Sequence, residues 1–146
     1  MADATVARKA DEGQAYWMLG GLYVVKVSSE ETGGAATVME MTMPAGMGPP
    51  PHTHPWDESF YVVGGRIDFG IGGESLTATA GTLVHLPAGT VHWFRFGAGG
   101  GEMVSMTSRL GASKLFEDMA REISPTNPDL AKLTEVGARH GLTVAG

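Results

Sequence analysis

The sequence predicts an all-β fold, a sandwich or barrel of short strands, followed by a helical tail. Three observations carry that expectation. Segments rich in β-branched and aromatic residues recur from Tyr16 to Arg109. Glycine and proline signals separate them, and the 22 glycines and 8 prolines are spread along 146 residues instead of forming a linker. Beyond Arg109 the apolar spacing changes from period two to helical.

Taken in order, residues 1–12 are polar and read as a flexible N-terminal segment. Residues 13–110 read as the barrel and 111–146 as the tail. "YWMLGGLYVVKVSS" is strand-like, broken at Gly20-Gly21, and "EETGG" at 30–34 is a turn. In "AATVMEMTM", Met39, Met41 and Met43 alternate with Glu40 and Thr42, which is strand periodicity. "PAGMGPPP" is a rigid, non-helical connector. Three strands are expected at 58–63, 66–71 and 74–79, with turns at Gly64-Gly65 and Gly72-Gly73. Two more flank Pro87-Ala88-Gly89, and another follows a turn at 97–101. In the tail, Leu115, Phe116, Met119 and Ile123 form one helical stripe. A second helix is expected to start at Asn127-Pro128, carry an apolar stripe of Leu130, Leu133 and Val136, and stop at Gly141.

Composition narrows the function. A hydrophobic fraction of 42% and a charged fraction of 18% are globular values. The net charge of -6, with no basic cluster, argues against nucleic acid as a partner. No apolar run reaches the roughly 18 residues that span a bilayer, so no membrane partner is expected. The absence of cysteine rules out disulfides, thiolate ligands and a Cys nucleophile, so a metal site must use His and carboxylate. The N-terminus has no apolar signal core, and a cytoplasmic location is expected.

The chemistry concentrates in "PHTHPWDE", residues 51–58. In an extended segment His52 and His54 share a face, and Glu58 has the same parity. His92 follows on a later strand, just after a Pro-x-Gly turn. His, His, Glu and His suit a divalent transition metal (Fe, Mn, Co, Ni, Cu or Zn) better than the oxygen-seeking Mg or Ca. Four protein ligands on an octahedral ion leave two positions open, which is the mark of a catalytic site. A bare His-x-His is more often a surface pair; here the surroundings reverse that reading.

Those surroundings are "GMGPPPHTHPWDESFYVVGG" and "GTLVHLPAGTVHWFRF". The first places Gly46, His52, His54, Glu58 and Gly65 at the spacings of one motif. The second places Gly81, Pro87, Gly89 and His92 at those of its partner. Together they resemble the paired motifs of the cupin superfamily. Over roughly residues 13–145 the chain resembles the small single-domain cupins called quercetin 2,3-dioxygenase-like. The resemblance implies a double-stranded β-helix, that is a jelly-roll barrel, usually dimeric. It also implies a metal held by His52, His54, Glu58 and His92, and oxidoreductase chemistry of the dioxygenase type on a small, aromatic or enolic substrate. One departure is that the family's Asn near the end of the second motif is here Phe96.

Glu58 and His85 are the candidate catalytic groups, Glu58 as ligand and base and His85 as a second proton carrier. Met39, Met41, Phe60, Phe94 and Phe96 are the candidate substrate-pocket residues. Tyr16, Trp17 and Tyr23 read as structural. Two rival functions stand beside the dioxygenase: a non-redox isomerase, lyase or cyclase, and a ligand-binding cupin without catalysis.

Overall fold

The computed structural model describes residues 5–108 and 112–145. The expected boundary between barrel and tail, at 110/111, lies outside the described residues, as do residues 1–4 of the N-terminal segment. Of that segment, Arg8 pairs with Glu31 at 2.8 Å and donates to Lys26 O, which ties it to the sheet.

Strands β1 (Gln14–Met18) and β2 (Gly21–Val27) form a hairpin. Leu19 and Gly20, at φ 50° and 80°, make its two-residue turn, in the left-handed geometry that matches strand twist. Strand β3 (Ala36–Met43) buries Thr37, Met39, Met41 and Met43, while Glu40 and Thr42 turn away, so the alternation read from sequence is the observed one. The remaining strands are β4 (His52–Thr53), β5 (Glu58–Ile71), β6 (Glu74–Ala78), β7 (Leu83–Leu86), β8 (His92–Ser108) and β9 (Thr143–Val144). One sheet runs β1-β2-β3-β8-β4-β9, and β5 joins it through β8 while also pairing β6 and β7.

The structure corrects two expected turns. Gly64-Gly65 does not reverse the chain, and neither does 97–101; each lies inside a long strand, β5 or β8. The two strands pair along their whole length, from Glu58 opposite Thr107 to Ile71 opposite His92. The ladder slips at the glycines. Between the pairs Gly65–Gly101 and Ile67–Phe96, β5 supplies Arg66 alone while β8 supplies residues 97–100. Such a bulge bends a strand without ending it. Gly65 sits at φ 81°, and a Cβ there would collide with Gly100 O. Glycine at this point marks a bend and a close backbone approach, which a sequence pattern does not separate from a turn.

The interior is aromatic and sulfur-rich. Phe60, Phe69, Phe94 and Phe96 meet with ring centroids 5.4 to 6.1 Å apart, beside Val62, Ile67 and Met103. Helix α1 (Ala112–Glu122) buries Leu115 and Met119 against this core. Helix α2 (Leu130–Arg139) starts later than expected. Asp129, in extended geometry, accepts from the amides of Ala131 and Lys132, so it is the cap in place of Asn127. Gly141, at φ 84°, ends the helix as expected. The chain then returns to the sheet as β9 beside β4, a pairing that two residues cannot announce in sequence.

Candidate metal centre and cavity

His52 and His92 face each other across β4 and β8 as a directly paired couple, with ring centroids 4.2 Å apart. His54 follows two residues on, and its ring stacks on buried Trp56 at 4.7 Å. Each Nδ1 is committed to a backbone carbonyl: His52 to Pro50 O at 2.8 Å, His54 to Trp56 O at 3.0 Å and His92 to Thr90 O at 2.9 Å. A carbonyl only accepts, so all three Nδ1 atoms carry the proton and the Nε2 lone pairs are left for the interior. One ligand atom from each ring lies within 4.8 Å of the others.

Glu58, the first residue of β5, completes the group. Its Oε1 is 2.9 Å from His54 Nε2 and 3.5 Å from His92 Nε2, and its Oε2 accepts from Ser105 Oγ at 2.7 Å. Burial pushes the carboxyl up, but the His54 and His92 imidazoles and the Ser105 hydroxyl outweigh it and hold it down at about 2. Burial, and then the neighbouring His92 ring, push the His52 imidazole down to about 4. At neutral pH the centre therefore pairs a carboxylate with a neutral His52, the forms that ligate metals.

The donor set fits a cation. Among the described residues His92 Nε2 is buried with no hydrogen-bond partner. His54 Nε2 and Glu58 Oε1 stand 2.9 Å apart, a separation at which a proton or a cation lies between them. For bonds of ~2.1 Å, neighbouring ligand atoms sit about 3.0 Å apart in an octahedron and about 3.4 Å in a tetrahedron. The observed separations of 2.9 and 3.5 Å fall at those edges.

His52, His54 and Glu58 open onto a cavity of about 270 Å³, and His92 lies behind them. Of the candidate pocket residues, Met39, Met41, Phe60 and Phe94 line the cavity. Phe96 does not. It lies in the core against Phe94, one alternation further along β8, and is 1% exposed. His85 is not brought to the cavity either. On β7 the buried residues are Val84 and Leu86, so His85 turns outward, and its Nδ1 meets Ser59 Oγ at 2.7 Å beside a shallow outer recess. Asp57 accepts from the amide of Ala88.

Four contributions escaped the sequence reading. Ser105 anchors Glu58, and its inward parity with Met103 and Thr107 was available as a signal. Tyr23, read as structural, lines the cavity, in alternation with buried Val25. Leu115, Phe116 and Met119 of α1 close the cavity from above, which no local pattern reveals. Thr107 Oγ1 and Thr37 Oγ1 are buried without a partner on adjacent, paired positions.

Residues 39–106 match the family model described as Cupin domain. No curated protein sequence matches it. Among solved structures it is similar to an RmlC-like cupin from Shewanella frigidimarina, at 16% identity over 78% of this chain and 99% of that one, with a TM-score of 0.68. It is also similar to a predicted oxalate decarboxylase from Thermotoga maritima, at 22% identity over 73% and 100%, TM-score 0.63. A third is the polyketide cyclase RemF from Streptomyces resistomycificus, at 16% over 72% and 80%, TM-score 0.62. At these identities the similarity establishes the jelly-roll fold of cupins. No helix among the described residues is long and apolar enough to cross a membrane.

Proposed function

We propose that this protein is a divalent-metal-dependent cupin enzyme acting on a small organic substrate, and that its reaction is a dioxygenation of the quercetinase type. One observation carries the proposal: the buried His52, His54 and His92 imidazoles each offer a ligand atom within 4.8 Å of the others beside Glu58 Oε1, and His52, His54 and Glu58 form the polar end of an otherwise apolar cavity. His52, His54, Glu58 and His92 would hold the ion. When bound, a divalent transition metal supplies Lewis acidity and a meeting point for an enol or phenol and dioxygen.

The chain's own residues do the rest. The backbone carbonyls of Pro50, Trp56 and Thr90 fix the imidazole tautomers. Glu58, ionised at neutral pH, takes the substrate's hydroxyl proton at Oε1, while Ser105 keeps Oε2 occupied. The methionines and phenylalanines hold a flat ring and exclude water from it. Both atoms of dioxygen enter the product, so no external reductant is required.

A non-redox lyase, isomerase or cyclase has one observation in its favour: the Glu58 carboxylate and the Tyr23 hydroxyl face the same cavity, a proton acceptor and a hydrogen-bond donor together. The test is elemental analysis of gently purified protein, followed by oxygen consumption with 3-hydroxyflavone. About one transition metal per chain and one O2 consumed per flavone support the dioxygenase. Bound metal with turnover of an enol but no oxygen uptake would replace it with the non-redox reading. Metal-free protein with neither activity would reduce it to a binding module.

We carry the homodimer forward as a further proposal. Its support is Trp17, 64% exposed on the edge strand β1, an apolar surface that a second copy would cover. Sedimentation of wild type and Trp17→Ser tests it: wild type should sediment as a dimer and the variant as a monomer.

A further inference from the structure

We propose that the Tyr23 phenol is a substrate-binding group, and that the substrate is a flat apolar molecule carrying two oxygens. One oxygen meets the imidazole–carboxylate cluster and the other accepts a hydrogen bond from Tyr23. This deepens the proposed function and rests on its cavity, not on its redox step.

Tyr23 lines the cavity and is 5% exposed. Among the described residues its hydroxyl makes one hydrogen bond, donated to Met43 Sδ at 3.7 Å. A thioether is a weak acceptor, and buried hydroxyls ordinarily find a strong one. The ring has little freedom to seek another. Strand β2 holds its backbone, and Phe116 of α1 lies against it with centroids 5.2 Å apart. The donor is therefore fixed in place with its bonding capacity largely unused, as a binding group should be. Burial, and then the Glu58 carboxylate, push the phenol far above its ordinary range, so it donates a proton to a hydrogen bond and does not act as a base.

The register sets the shape of the ligand. Tyr23 lies opposite Met41, Met41 opposite Met103 and Met103 opposite Val62, which is four residues along β5 from Glu58. The phenol and the metal cluster thus sit at different depths in the barrel. Met39 and Met41 occupy the wall of the cavity between them, where soft thioethers pack against aromatic faces. A rigid, flat molecule with an ionisable oxygen at one end and an acceptor oxygen at the other satisfies both ends.

The test uses 2-naphthol and its 2,6- and 2,7-diols as probes, titrated calorimetrically into the protein as isolated. At least one diol should bind about tenfold more tightly than 2-naphthol. Tyr23→Phe should remove that gain, leave 2-naphthol affinity within about twofold, and keep the melting temperature and metal content of wild type. Met43→Leu should keep the diol gain. The proposal is overturned if no diol outbinds 2-naphthol, if the gain survives in Tyr23→Phe, or if it disappears in Met43→Leu. The same titrations after chelation separate this inference from the proposed function. If chelation leaves every affinity unchanged while Tyr23→Phe still abolishes the diol gain, the metal-dependent reading fails and the role of Tyr23 stands.

Discussion

His92 condenses the site's logic into one side chain. Its Nδ1 is spent on Thr90 O, and its Nε2 is buried and unpartnered. His92→Ala should cut metal affinity by about 100-fold or more, read as metal content after dialysis. In the metal-free protein the same change removes an unsatisfied polar atom while opening a cavity, two effects of similar size and opposite sign, so the metal-free proteins should melt within a few degrees of each other. Phe96 makes the contrasting case. It is fully buried outside the cavity wall, so Phe96→Ala should cost about 3–5 kcal/mol of stability in denaturant unfolding. A loss of naphthol affinity larger than the loss in Met39→Ala, which does touch the cavity, would contradict this placement. At this scale much was legible. Alternation put Met39, Met41, Phe60 and Phe94 inside because side-chain direction follows strand parity. The same parity places Phe96 inside, but not in the cavity, because depth along a strand is not encoded in alternation. His85 needed the parity of Val84 and Leu86, whose burial settles the register of β7.

Strand β5 shows how an element can be misread while its residues are read correctly. A Gly-Gly pair between apolar runs signals a turn, yet here it bends one strand through the bulges on either side. Gly65→Ala tests this bend. It places a side chain at φ 81° and against Gly100 O, so it should destabilise the fold by about 2–4 kcal/mol, measured by chemical unfolding. A true surface turn would tolerate the change better. The helical pair adds a pH-dependent contact. Glu122 of α1 binds Arg139 of α2 at 2.6 Å and Lys132 at 3.3 Å, and Arg139 first among its partners holds the Glu122 carboxyl down at about 2. A depressed carboxyl stabilises the fold above its ordinary value near 4.5 and loses that contribution as pH falls toward 2. The protection of α2 amides, relative to their intrinsic exchange at each pH, should therefore fall between those pH values in wild type and change less in Glu122→Gln. Equal profiles would remove the contact from the account.

Across the whole molecule, metal binding and folding should be linked, because the unfolded chain has no assembled site. At metal concentrations about 100-fold above Kd the folded state gains about 2.7 kcal/mol, which corresponds to a rise in Tm of roughly 10 °C for a domain of this size. Chelation should reverse it, and His92→Ala should abolish the response. The same scale separates what could be read beforehand from what could not. Strand alternation, glycine punctuation and the two histidine motifs are local properties, each decided by neighbours a few residues away; the first two announced an all-β sandwich or barrel, and the resemblance carried by the motifs added the jelly roll and the candidate donor residues. The meeting of Glu58 with His92 is different. They stand at opposite ends of the β5–β8 ladder, thirteen residues apart along β5, roughly 40 Å if the ladder lay flat. They come within 3.5 Å because the glycine bulges fold that ladder back upon itself. The lid of α1, the return of β9 and the inward aim of Tyr23 depend on the same closure, a long-range packing of surfaces that no stretch of chain specifies on its own.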